Sequence, residues 1–414
     1  MDPFYSFLTV SVWLLSTYFI VLILLIVLEK RKSIVEGDPE PKNLPLVSLI
    51  VPAFNEKRGV LPALRSLGEI DYPRDKYEVI IVNDGSSDGT AEIISDFIST
   101  QPGVPFKFID RKENKGKAFS LNEGIAASKG DYVGTMDADS LVKPDILRKT
   151  VGFFEDPKTG AVTVRVHVHK PKNLLERIVD VEYVVGLSLS LKILSYLNSM
   201  HVTPGPFSIY RKSMLEEIGG FDVNNIVEDM EIAFRMHKAG YKIKNTLATG
   251  VYTIVPSTLG ELYKQRKRWY SGSLITLMQH KDVMFNRGLG AFGIFFMPIN
   301  YATITLGLAL GLYSFGMLLN NIWRNLNYLW LTNFEMLPPT FELDILNLSI
   351  FHFIMLSSIL SISIMTKVSL SVMQRRLREN VVGFLGFLFF FVIYQVFWAS
   401  SFYSVFLGRE IKWR

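Results

Sequence analysis

Hydrophobic positions along the chain fall into two regimes. Residues 4–28 (FYSFLTVSVWLLSTYFIVLILLIVL) are almost continuously apolar, and similar runs return at about 289–319, 345–366 and 381–407. Each run is long enough to cross a bilayer, and the first of the later three is interrupted by Pro298. Between them, residues 44–285 carry short apolar runs punctuated by Gly and Pro, the pattern of a water-soluble domain. The chain therefore divides into an N-terminal transmembrane anchor (1–32), a central domain with amphipathic interface helices (44–285) and a C-terminal membrane region of about three helices (286–414).

Inside the central domain a strand-to-polar scheme repeats. LVSLIVPAFNE (46–56) is a buried-strand pattern that breaks at Pro52, and YEVIIVNDGSSDGTAEII (77–94) runs from a strand through a polar turn into a helix. VPFKFIDRKENKGKAFSLNEGIAAS (104–128) adds a strand, a basic loop and a helix, and GDYVGTMDADSLVKPDIL (130–147) adds a strand ending in acids. Alternation of this kind predicts an α/β domain with a parallel doubly wound sheet, whose ligands sit at the carboxyl ends of the strands. Those ends carry Asn55 and Glu56, then Asp84, then Lys115 and Lys117, then Asp137 and Asp139. No GxGxxG follows any strand, which disfavours a dinucleotide site.

Further on, residues 173–200 are apolar but interrupted by Glu176, Asp180, Glu182 and Lys192. They read as helix packed under the sheet or lying on the membrane. TPGPFSIYRKSML (203–215) precedes a helical pattern opened by Glu228–Asp229 and closed by Gly240.

Charge changes the picture by assigning sides. EKRK (29–32) after the first run, and Lys367, Arg375, Arg376 and Arg378 after the third, fall inside by the positive-inside rule, leaving only Arg324 in the outside loop 320–344. The same alternation of four spans places Arg409, Lys412 and Arg414 outside, against the rule. With no cleavage site after the first run, an uncleaved anchor is expected, and the protein reads as integral to the cell membrane with its central domain cytoplasmic. A net charge of +5 whose basic residues gather beside apolar runs argues for membrane lipid and against nucleic acid. Cysteine is absent, which excludes disulfides, thiolate metal sites and cysteine nucleophiles.

Candidate chemistry follows from spacing. Asp137 and Asp139 point the same way from an extended segment, so both can serve one divalent cation; a solvated acidic turn has the same look. Glu228 and Asp229 suit either a catalytic carboxylate or plain capping of a helix N-terminus. On a helix, Gln265, Arg268 and Trp269 share one face, while Arg266 and Lys267 point elsewhere and are available to lipid headgroups. His167 and His169 alternate in a strand-like run, the usual pattern of a solvated face, and His201 and His237 read as structural.

The set VPAFNE, VNDGSSDGT, NKGKAFSLN and DADS resembles the donor half of family 2 glycosyltransferases, which have the GT-A fold. Gln265-x-x-Arg268-Trp269 downstream of Glu228–Asp229, with GPFSIYR, is similar to the cellulose-, hyaluronan- and chitin-synthase branch; the likeness covers about residues 46–275. It implies that Asp84 and the segment Pro52–Glu56, with Asn55, hold the nucleoside of a nucleotide-diphosphate sugar, and that Lys117 lies near the nucleotide. It implies that Asp139, helped by Asp137, carries Mg or Mn. It further implies Asp229 as general base, Arg268 as the cation facing the leaving diphosphate, Trp269 as the platform for the acceptor sugar and Gln265 as a positioner. Members of the branch often carry an acid before the Pro upstream of QxxRW; here the run is Tyr252–Thr253–Ile254–Val255–Pro256, so no contact through that acid is implied.

A membrane-bound inverting glycosyltransferase adding a hexose, such as mannose or glucose, to a lipid-linked glycan is the leading expectation. A processive polysaccharide synthase is the alternative, although four spans are few for a polar tunnel. A transporter would need ionisable residues within the membrane, and these are nearly absent. A binding scaffold would not need every motif intact.

Overall fold

The computed structural model describes residues 2–36, 39, 41–100, 103, 105–332 and 350–408. A long helix α1 (Pro3–Glu36) leads into β1 (Val47–Ala53), α2 (Val60–Gly68), β2 (Tyr77–Asp84), α3 (Thr90–Ser99), β3 (Phe106–Arg111), α4 (Lys117–Ala127) and β4 (Tyr132–Thr135). Then come β5 (Leu141–Val142), α5 (Arg148–Val151), β6 (Thr159–Val168), α6 (Leu174–Tyr183), α7 (Leu191–Tyr196), β7 (Ser208–Arg211), α8 (Lys212–Ile218), α9 (Glu228–Lys238), β8 (Lys242–Thr253) and α10 (Leu259–Gln279). The chain continues through α11 (Met297–Leu331), α12 (Ile350–Val372) and α13 (Leu377–Phe406).

All eight strands form one sheet in the order β3-β2-β1-β4-β7-β6-β8-β5. β1 pairs in parallel with β2 and β4, and β2 with β3, which is the parallel half that the first repeats predict. Beyond β4 the sheet is mixed. β7 runs antiparallel to both β4 and β6, β8 parallel to β6, and β5 antiparallel to β8. β1 is buried along nearly its whole length, Ser48 included, because helices cover both of its faces. Leu49 and Val51 pack with Val60, Leu64 and Ile94 on one side, whereas Ile50 packs with Leu121 and Ile125 on the other.

Residues 173–200 do pack under the sheet. α6 and α7 are joined by a π-helical stretch, Val184–Ser190, and the Ser188 hydroxyl donates to the Val166 carbonyl of β6. The other side of this layer meets the membrane helices, with Val184, Leu189 and Ile193 in one cluster with Ile23 and Val27 of α1 and Leu370 of α12.

Among the described residues three helices are long and apolar enough to cross a membrane: Pro3–Ile34, Phe292–Leu331 and His352–Val372. The expected fourth span, 381–407, passes only as two halves, Leu377–Phe390 and Ile393–Phe406, set at 46°. One flank of α13 is sealed against the domain. A Cβ on Gly383 would lie 2.5 Å from the Arg177 carbonyl oxygen of α6, and the Tyr263 and Ser400 hydroxyls are 2.5 Å apart. Residues 333–344 of the expected outside loop, and the basic tail with Arg409, Lys412 and Arg414, lie outside the described residues.

Candidate active site

The site forms where the strand ends of the parallel half face α9 and α10. β2 ends at Asp84, whose carboxylate accepts the backbone N–H of Lys115 at 2.9 Å and of Gly116 at 2.8 Å. Arg111 adds a guanidinium 3.0 Å from Asp84 Oδ1. Gly116 has φ +95°, a conformation that favours glycine, and it starts α4 at Lys117. The Lys117 Nζ sits 2.6 Å from Asp137 Oδ1 and 2.9 Å from Glu228 Oε1, joining the end of β4 to the start of α9. Burial works against the lysine charge, but the Asp137, Glu228 and Asp229 carboxylates more than offset it and push its pKa well above the usual range. The loop before β7 passes this pair through Gly205, where a Cβ would lie 2.9 Å from Lys117 Nζ.

Glu228 is therefore committed to an ion pair, beyond the plain capping role its position allows. Asp229 is fixed through its backbone, whose carbonyl accepts from the Thr203 N–H at 3.0 Å and the Thr203 hydroxyl at 2.9 Å. Burial, then the neighbouring Glu228 charge, raises the Asp229 pKa to about 6, against the pull of Lys117 and Arg268. A carboxylate poised there exchanges protons near neutral pH. Asp139 rises to about 7 through burial and the charges of Asp137 and Glu56, with the Ser140 hydroxyl and Lys117 opposing. Asp137 and Asp139 crowd two carboxylates together there, an oxygen set of the kind a divalent cation takes. Among the described residues no group of three His, Cys, Asp or Glu side chains could hold a metal, so the aspartates offer only part of a coordination shell.

α10 supplies the opposite wall. Thr258 and Glu261 form a capping box at its start, which fixes where the helix begins and hence which face it presents. Gln265, Arg268 and Trp269 border the same cleft as Pro52, Glu56, Asp84, Lys117, Asp137, Asp139, Glu228 and Asp229. Arg268 reaches back to the Ile226 carbonyl at 3.4 Å. Tyr183, Gly205, Thr253 and Ile254 also line the cleft. Their types carry no chemical signal, and only folding brings them there.

Several expectations are corrected. Asn55 does not line the cleft; it has φ +54°, and its side-chain oxygen accepts the Ser87 N–H at 2.9 Å, tying one loop to another. Arg266 does not meet lipid headgroups. It is fully buried, 2.8 Å from Glu182, and its guanidinium lies 4.1 Å from the centre of the Trp269 ring. Lys267 stays half-buried beside Tyr263. His167 is not solvated: it is buried and stacked on Tyr252, and burial lowers its pKa to about 3, so it stays neutral. His237 stacks on Phe292 at 4.0 Å and bonds the Met200 carbonyl, consistent with a structural part.

Residues 48–219 match the family model described as Glycosyl transferase family 2. Poly-beta-1,6-N-acetyl-D-glucosamine synthase of Staphylococcus epidermidis (strain ATCC 35984) is 35% identical over 234 residues, 56% of each chain. The synthase of the same name from Staphylococcus aureus (strain COL) is 33% identical over the same span. The chain thus matches only about half (56%) of the length of these curated relatives. Among solved structures, the mannosyltransferase PcManGT from Pyrobaculum calidifontis, in complex with GDP-Man and Mn2+, aligns over 97% of this chain and 100% of that one. The TM-score is 0.62 at 19% identity, a likeness of fold. Residues 48–219 are therefore similar to the glycosyl transferase family 2 model, and the sheet that contains them has a GT-A-like fold.

Proposed function

We propose that the protein is a membrane-bound inverting glycosyltransferase that moves a sugar from a nucleotide-diphosphate donor to a glycan acceptor at the cytoplasmic membrane face. The observation that carries this reading is the cleft itself, which holds Asp229, with a pKa near 6, within reach of the charges of Lys117 on α4 and Arg268 on α10. In this reaction Asp229 takes the proton of the acceptor hydroxyl as that oxygen bonds to the sugar's anomeric carbon. The bond from that carbon to the diphosphate oxygen breaks, and the nucleoside diphosphate leaves with the electron pair. Arg268 meets the charge that develops on it. Pro52, Glu56 and Asp84 line the donor end, Lys117 stands by the nucleotide, and Gln265 and Trp269 border the acceptor end. Asp137 and Asp139 would hold Mg or Mn, which when bound neutralises the diphosphate as it departs.

A lipid-linked glycan is the favoured acceptor, because three described membrane helices and a fourth sealed against the domain leave little to wall a polar tunnel. A second reading, synthesis of an N-acetylhexosamine polymer, is favoured by the 35% identity to a synthase of that kind. The test is to incubate the purified protein with Mn and a panel of sugar nucleotides, UDP-N-acetylglucosamine and GDP-mannose among them. Nucleoside diphosphate release that disappears in Asp229→Asn supports the reading, and its absence with every donor defeats it. A ladder of products would select the polymer.

A further inference from the structure

Arg266 occupies one of the two variable positions of the Gln265-x-x-Arg268-Trp269 segment, and it is the largest side chain among those fully buried. A guanidinium in that setting is costly to desolvate, and stability alone is served as well by an apolar residue. Its contacts indicate what the charge achieves. Nη1 donates to Gln265 Oε1 at 3.0 Å, and Nη2 donates to Glu182 Oε2 at 2.8 Å. The guanidinium carbon lies over the Trp269 ring, 4.1 Å from its centre, with the Tyr183 and Tyr394 ring centres at 6.0 and 5.7 Å. Glu182 belongs to α6 and also accepts a hydrogen bond from the Tyr394 hydroxyl of α13. One cation thus joins α10, α6 and α13, and touches both Gln265 and Trp269 at the rim of the cleft.

We propose that Arg266 is a positioning residue for acceptor binding, holding Gln265 and the Trp269 indole in place, and that Tyr394 braces it from the membrane region through Glu182. The proposal rests on the glycosyltransferase reading for its kinetic consequence but not for its geometry. Lysine at this position keeps the charge for Glu182 but lacks the flat group that covers the indole and the second arm that reaches Gln265.

The test uses the full chain in detergent with Arg266→Lys and the milder Tyr394→Phe. Subtracting the Trp269→Phe spectrum from wild type isolates the near-ultraviolet circular dichroism of Trp269. Arg266→Lys should lose more than half of that band, and Tyr394→Phe a smaller part. With octyl glucoside, octyl mannoside and octyl N-acetylglucosaminide as acceptor probes, the acceptor KM should rise on the order of tenfold while UDP and GDP binding hold. A band retained in both variants overturns the proposal, as does an equal loss of nucleotide binding, which marks a merely structural part. If wild type releases nucleoside diphosphate from no donor, the functional reading has failed, and the Trp269 band alone decides this one; the band likewise decides if no probe accepts sugar.

Discussion

The rings of Tyr270 and Trp398 stack 4.1 Å apart, with planes only 6° from parallel, so the middle of α13 lies directly on α10. α13 thus keeps one flank against α6 and α10 of the domain. The bend of 46° within it has the same sense.

The consequence is topological. We expect α13 to stay on the domain's side of the membrane, which returns Arg409, Lys412 and Arg414 to the cytoplasm and satisfies the positive-inside rule. Because the chain has no cysteine, Lys32→Cys and Gly408→Cys give clean single labels. Both should react with an impermeant maleimide from the same face of oriented vesicles. Labelling of position 408 from the opposite face would restore four crossings.

Asp229→Asn should lower kcat by about 10²–10⁴ while leaving nucleotide affinity near wild type, since a general base acts in the chemical step. Isothermal titration with UDP or GDP separates the two effects. Equal kcat in mutant and wild type removes Asp229 from the base's place.

Arg268→Ala should reduce transfer by about 10²–10³, the usual loss on deleting one donor to a developing anion. Membrane insertion should be unaffected, because Arg268 lines the cleft and Arg266 carries the buried contacts. Fractionation and a rate measurement on one preparation check both halves.

The pH profile should rise with an apparent pKa near 6 as Asp229 gives up its proton. The sign for stability is opposite. Asp229 has its pKa raised from 3.8 to about 6 on folding, so the native state binds the proton more tightly than the unfolded chain. Its contribution to stability is present at low pH and is lost as pH climbs between those values. Lys117→Met removes a charge that lowers the Asp229 pKa, and should move the kinetic limb to higher pH. An unmoved limb would place the titrating group elsewhere.

Chelation should slow turnover by on the order of a hundredfold, with recovery on adding Mn or Mg. In Asp139→Asn the added metal should restore little. Full activity in a chelator would show that Lys117 and Arg268 suffice for the diphosphate.

The sequence by itself determined the parallel half of the sheet, since runs such as Leu49–Val51 and Val79–Val82 are apolar on both faces and each strand ends in polar residues. Lys117, Asp137, Glu228 and Asp229 are legible in it as candidate chemistry, and the fold brings them together. Helical spacing placed Gln265, Arg268 and Trp269 on one face, and all three border the cleft. Tertiary structure alone decided the rest. Spacing sends Arg266 off that face but cannot say toward what, because Glu182 lies 84 residues from it along the chain and Tyr394 lies 212 residues from Glu182. That the Asn55 side-chain oxygen is held by the loop at Ser87 is visible only in the fold. Apolar composition likewise cannot separate a helix facing lipid from one whose flank is sealed against a protein, as α13 is. Both environments exclude water from the same side chains, and only the packed neighbours tell them apart.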